Sequence, residues 1–325
     1  MAAVPMAIVA VILAIALGFS VNRAGTCSVA AAREVISRGS SNMFAGFALT
    51  IGAAGLLTLP LAWALPGLTH LARSSVITAP LLIGAALLGV GAVINGACAF
   101  GTLSRLGNGE VRFLAMPAGM LVGFWLSYRC LLLPSPMLSA SLFMHPSPAG
   151  VMLLAGFAIL ACVAARVLGS RRGKAGEGSA QDLLWFMPIV GLAGAGLYAL
   201  APGPTYGDAL RLAAAPSMAM VMTSPLAALA STFAVAGSAL GAIVTGRFRV
   251  RTPSISGVAH SFSGGLVMAA GANLAGGGND SFLLSILPSG VVGGAVCYGV
   301  MTMTVLGLTA VAGRAPATGR SLSSG

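Results

Sequence analysis

Apolar runs of roughly 17–25 residues recur along the chain, the length that crosses a bilayer as a helix, and the alternation of a membrane β-barrel is absent. They predict spans over 4–21, 43–65, 76–94, 111–133, 148–168, 183–200, 225–245 and 291–312. The first run has no basic segment before it and no small-residue cleavage pattern after it, so it reads as a mature span. The stretch 28–38 has helical composition but is too short to cross. A Pro/Gly-rich segment with Tyr206 and Asp208 leads into a short surface or partly inserted helix over 210–223. A Gly/Ser/His region over 254–265 then precedes an apolar stub ending at Asn273.

The stretch from Asn95 to Gly109 departs most from this pattern. Asn95, Gly96, Gly101 and Gly107 to Gly109 suit a helix that breaks, and Cys98 and Arg105 stand close together within it. Broken backbone inside a membrane survives only where it is buried in protein or lines a wet cavity. The stretch therefore reads as part of a solute pathway, with Cys98 near the narrowest point. Gly276 to Asp280 offers a second interruption. Gly91 to Cys98 and Gly271 to Gly278 form a weak internal repeat in which Gly278 takes the place of the thiol. Paired interruptions of this kind mark midplane sites in transporters.

Composition strengthens the membrane reading. Of 325 residues 57% are hydrophobic and only 7% charged, far below the quarter or so typical of soluble domains. The expected fold is therefore all-α, a polytopic transmembrane protein of about nine spans with short re-entrant or half helices meeting at the membrane centre. The chain divides into a first transmembrane half (1–168), a basic hydrophilic loop (169–182), a second half (183–313) and a polar tail (314–325). The net charge of +11 records orientation and not nucleic-acid binding. With nine crossings and the amino terminus outside, Arg23/Arg33/Arg38, the 171–174 loop, Arg247/Arg249/Arg251 and Arg314/Arg320 all face the cytoplasm, and Arg73 is the exception.

Plainer roles compete for several residues. Free cysteines often act as small apolar residues, and Cys130 and Cys162 lie in uniform apolar runs. Glycines at helical spacing permit close packing. Arg23 and Arg105 serve either as anchors or as substrate-facing groups, and Glu34 and Glu110 are expected to pair with nearby arginines. Asp280 is expected to cap a half-helix. His70, His145 and His260 stand apart, and the five cysteines form no paired motif, so neither a metal site nor a disulfide framework is expected. No catalytic residue and no cofactor is expected.

Gly18-Phe19 with Asn22-Arg23, then 26–31, then 95–102, and finally Gly277-Gly278-Asn279-Asp280 followed by Pro288 resemble the motifs of the YeeE/YedE sulfur-transport family. The resemblance implies import of thiosulfate across a bacterial inner membrane, an hourglass of helices with incomplete ones meeting at the centre, and a cytosolic TusA-like sulfurtransferase as partner. It also implies that cysteines contact the sulfur substrate in turn, a role that falls on Cys27 and Cys98. At the third family cysteine this chain has Gly278 and Asn279, so either Cys297 substitutes or two thiols suffice.

The expected pathway comprises Cys27, Cys98, Asn95, Gly96, Gly101, Arg105, Gly277, Gly278, Asn279 and Cys297. Helix amino termini would supply partial positive charge to an anion, and neutral thiols would pass a soft sulfur along without trapping it. No phosphate-binding loop of the Gly-x-x-x-x-Gly-Lys-Ser/Thr type is present, so ATP coupling would need another subunit. The alternatives are a carrier for another sulfur or selenium species, and a membrane thiol oxidoreductase or sulfurtransferase. The latter requires Cys27 and Cys98 to come within disulfide reach.

Overall fold

The computed structural model describes residues 3–66, 69, 71–130, 143–171, 179–201, 203–215 and 225–314. Outside them lie His70, the ends of the expected 111–133 and 210–223 segments, residues 172–178 of the hydrophilic loop and the polar tail from 315 on. In chain order the helices are α1 (Ala3–Ala24), α2 (Ser28–Arg38), α3 (Asn42–Ala64), α4 (Ala79–Asn95), α5 (Ala99–Gly107), α6 (Ala115–Arg129), α7 (Pro148–Ser170), α8 (Ala180–Leu200), α9 (Tyr206–Ala214), α10 (Pro225–Val244), α11 (Ile255–Ala275), α12 (Asn279–Ser281) and α13 (Val292–Arg314). A 3-10 turn over Val111–Leu114 leads into α6, and a π-helical turn over Phe282–Ile286 continues α12.

Eight helical stretches among the described residues are long and apolar enough to cross a membrane. Helix α11 makes a ninth by length, with 21 residues, about 30 Å at the usual rise. Where the sequence suggests a polar region and a stub, α11 is one continuous helix. Ser261, Gly264, Gly265 and Gly271 are its packing residues. A Cβ on Gly264 would sit 2.6 Å from the Asn95 amide nitrogen, and one on Gly271 would meet the Leu88 nitrogen at 2.5 Å. The converse contacts run from Gly84 to Leu274 and from Gly91 to Met268, both at 2.6 Å, so α4 and α11 lie antiparallel with backbones nearly touching. Without a hydrophobic drive between helices in lipid, such close contact is a main source of their association.

The other long pairs pack alike. Gly237 abuts Ile15 and Gly241 abuts Phe19 and Asn22, which sets α1 and α10 parallel. Gly119 of α6 lies against the Phe262 carbonyl of α11. The core is built of small and medium side chains, with Phe47, Phe113, Phe124 and Phe282 fully buried among them. The protein is thus an all-α, multi-pass membrane protein.

Candidate solute pathway

Four helices break in one way. Each of α1, α4, α8 and α11 ends near a glycine in the left-handed region, at Gly25 (φ 63°), Gly96 (φ 78°), Gly203 (φ 64°) and Gly276 (φ 80°). Two residues on, a new short helix starts from Cys27, Cys98, Thr205 or Gly278 at its N-cap position. The left-handed residue stops one helix and redirects the chain, a conformation that favours glycine. The 91–98 and 271–278 repeat read from the sequence corresponds to two of these breaks. The fourth, at Gly203, is not among the sequence expectations. Its signal is the Thr205-x-x-Asp208 pattern, which announces a helix start, and Thr205 Oγ1 caps the Asp208 amide.

The amino ends of the four short helices join in a closed ring of hydrogen bonds. The Ser28 amide of α2 donates to Cys98 Sγ at 3.3 Å, at the cap of α5. Tyr206 of α9 donates its hydroxyl to the Ala99 carbonyl of α5 at 2.8 Å. Ser281 of α12 donates to Asp208 Oδ2 of α9 at 3.1 Å. Ser28 Oγ closes the circuit on Asn279 Oδ1 of α12 at 3.3 Å. Aligned peptide dipoles place partial positive charge at the amino ends of α2, α5 and α9.

Inside this ring the Cys27 and Cys98 thiols stand as neighbours, close enough to act on each other. Cys27 also faces the amides of Val29 and Ala30, and Cys98 that of Gly101. Both are buried, Cys27 at 6% and Cys98 at 1% exposure. Gly101 makes the room: a Cβ there would lie 2.6 Å from Cys27 Sγ. Asn95 folds over its own break, donating to the Ala97 carbonyl at 2.7 Å and to Thr102 Oγ1 at 2.9 Å, while its Oδ1 has no partner. Asn279, also buried, holds an unpartnered Nδ2. A buried amide leaves hydrogen-bonding capacity unused at a cost, so such orphans commonly mark a ligand's place.

Eight of the ten sequence-predicted residues therefore belong to these breaks or their caps: Cys27, Asn95, Gly96, Cys98, Gly101, Gly277, Gly278 and Asn279. Two do not join the thiols. Arg105 sits at the other end of α5, paired with Glu110 at 3.1 Å and laid over the Phe113 ring. Cys297 faces the Leu81 carbonyl at 3.9 Å, and about 20 Å of α4 separates Leu81 from Asn95 at 1.5 Å per residue. Arg23 is also engaged, by Asp182 at 3.3 Å and by the Phe186 ring. Glu110 meets its expected arginines, but Glu34 accepts the amides of Asn42 and Met43 and so caps α3. Cys130 and Cys162 are exposed. No cluster that could hold a metal occurs among the described residues.

Below the thiols, Asn22 braces the site. Its Nδ2 donates to the Ser104 carbonyl at 3.1 Å, to Asn108 Oδ1 at 3.0 Å and, more weakly, to Ser238 Oγ at 3.4 Å. Three elements, α1, α5 and α10, are thereby tied at one buried side chain.

No curated protein matches the chain. A family model described as sulphur transport matches residues 23–307, an interval holding all four breaks and the Cys27 and Cys98 thiols. Four broken helices and multiple apolar spans agree with that match, and the chain belongs to the YeeE/YedE sulphur-transport family.

Proposed function

We propose that this sulfur transporter is a permease that carries thiosulfate, or a related small sulfur anion, inward across a bacterial inner membrane. The observation that carries the reading is the thiol pair enclosed by a ring of helix amino ends. Amide N–H groups replace the hydration of an oxyanion without a fixed full charge that would hold it. The Ser28 amide already donates to a sulfur, that of Cys98, which is the contact an incoming terminal sulfur would take over. Cys27 and Cys98 act as successive soft contacts. Gly278 and Asn279 stand where a third thiol would be, and the unpartnered Asn279 Nδ2 is the donor offered there.

Orientation follows from the basic groups. Arg171 bonds Asn42 at 2.9 Å, Arg23 pairs with Asp182, and the Arg249 and Arg251 amides bond the carbonyls of Asn108 and Gly109. The Asn22–Asn108 contact and the packing of Gly46 against Leu183 bring these groups to one face, which the positive-inside rule assigns to the cytoplasm. That face is where a TusA-like acceptor would receive sulfur.

The test is growth of an importer-deficient bacterium on thiosulfate as sole sulfur source. The wild-type chain is expected to rescue growth, Cys98→Ser to abolish rescue and Cys27→Ser to weaken it. Rescue undiminished by either change would overturn the assignment of the thiols. One observation favours a second reading, a membrane thiol oxidoreductase or sulfurtransferase: the two buried thiols are neighbours. That reading requires turnover of thiosulfate by the purified protein without uptake into proteoliposomes, whereas the permease gives uptake without turnover.

A further inference from the structure

Two buried carboxyl groups, one a link of the ring and one next to it, are not required by the passage of an anion alone. Asp208 of α9 is 6% exposed and Asp280 of α12 is 3% exposed. Asp208 is fully served. Its Oδ2 accepts from Tyr198 at 2.6 Å, Ser281 at 3.1 Å and Thr205 at 3.2 Å, and Arg211 stands 3.9 Å from its Oδ1. Asp280 differs. Its carboxyl lies beside nearby backbone amides and Thr205, whose hydroxyl proton goes to Asp208, its Oδ2 has no partner, and the charged neighbour that acts on it is Asp208, of the same sign.

Two carboxylates sharing a dry site do not both ionise at moderate cost, and the less well served one takes a proton. The two vacant functions fall on consecutive residues: Asn279 presents an unpartnered donor and Asp280 an unpartnered acceptor. A donor suits an anion and an acceptor suits a proton. Tyr206 stands between the two regions, within electrostatic reach of both Asp280 and Cys98 and bonded to the Ala99 carbonyl. The other ionisable groups around the pair are Arg211 of α9, Tyr198 of α8 and, beyond Cys98, Tyr298 of α13. Tyr198 also lines a small cleft with Thr58, Thr69 and Ser285, and its hydroxyl bonds Asp208, on which the hydroxyls of Ser281 and Thr205, both neighbours of Asp280, also converge.

We propose that Asp280 is a proton-binding site whose occupancy is coupled to that of the sulfur anion, making the protein a proton–anion symporter. This rests on the permease reading. When the anion reaches the thiols, the Asp280 carboxylate takes one proton from water and becomes a carboxylic acid. When the anion leaves, the acid returns the proton to water. No bond to sulfur forms or breaks, and nothing is oxidised. A charged Asp280 repels the anion and a neutral one admits it, so by linkage acid raises anion affinity and the anion raises proton affinity by the same factor.

The test uses the full chain in proteoliposomes with labelled thiosulfate outside and a pH-sensitive dye inside. Wild-type uptake is expected to rise roughly fivefold or more when the outside is made acidic, with thiosulfate-dependent acidification of the lumen. Asp280→Asn is expected to lose both responses, and Asp280→Glu to restore them in part. Uptake that ignores the gradient and moves no protons overturns the coupling and leaves the permease reading intact. Absence of any wild-type uptake overturns the permease reading, and the coupling with it. Difference infrared spectra of the solubilised protein then read the proton alone: a protonated-carboxyl band that titrates in the wild type and is missing in Asp280→Asn supports the site, and identical spectra overturn it.

Discussion

At the scale of single residues, Gly96 and Gly101 separate two roles that glycine plays beside the thiols. Gly96 has a positive φ and nothing within 4 Å of where a Cβ would go, so Gly96→Ala costs only the left-handed conformation, about 1–2 kcal/mol. Gly101→Ala has ordinary backbone but drives a methyl into Cys27 Sγ, an overpacking cost of about 1–3 kcal/mol. The expected outcome is that Gly96→Ala lowers the melting temperature and largely keeps uptake, while Gly101→Ala loses uptake out of proportion to its melting shift. Thermal melts beside uptake assays check this, and equal loss of uptake in both would argue that Cys27 needs no particular seat. Much at this scale is legible in the sequence, because Gly, Asn and Cys together are unusual inside an apolar run. Asp208 and Tyr206 are not legible, since a lone acid and a lone tyrosine in a Pro/Gly-rich segment read as surface until the fold buries them. Cys297 misleads for the opposite reason: its chemistry fits, but the helical path points it at Leu81.

Among the elements, the close pair α4–α11 governs where the breaks stand. Gly264 faces the amide and Cβ of Asn95 itself, at 2.6 and 2.7 Å, so an added methyl there displaces the last turn before the Cys98 break. Gly264→Ala is expected to destabilise by about 1–3 kcal/mol and to depress uptake. Gly156→Ala on α7, where nothing lies within 4 Å, should be neutral or stabilising by up to about 1 kcal/mol. Melting curves in one detergent compare the two, and a Gly264→Ala protein as stable as the wild type would remove the packing argument. This pair also explains why α11 escapes sequence reading. Hydropathy rewards side chains that face lipid, whereas α11 is wedged between α4 and α6 and has traded apolar bulk for Ser261, Gly264 and Gly265. The predominantly lipid-facing helices α7 and α13 were plain from their runs alone.

For the whole molecule, the placing of basic groups on one face predicts a single orientation. In a background with Cys130 and Cys162 replaced by Ala, an impermeant maleimide is expected to label Ser37→Cys only from the cytoplasmic side and His145→Cys only from the periplasmic side, since both positions are exposed. Labelling of both from one side would reverse or dissolve the topology. The ring that binds α2, α5, α9 and α12 carries a kinetic consequence. Because each segment holds its two neighbours and Cys98, Asn95 and Asn279 are each only 1% exposed, the described residues leave no standing aperture at the ring. On the permease reading, a solute would advance only as one link opens and another forms, in the manner of a turnstile. Planar-bilayer recordings with thiosulfate should accordingly be silent, free of unitary current steps, even in preparations that accumulate the label.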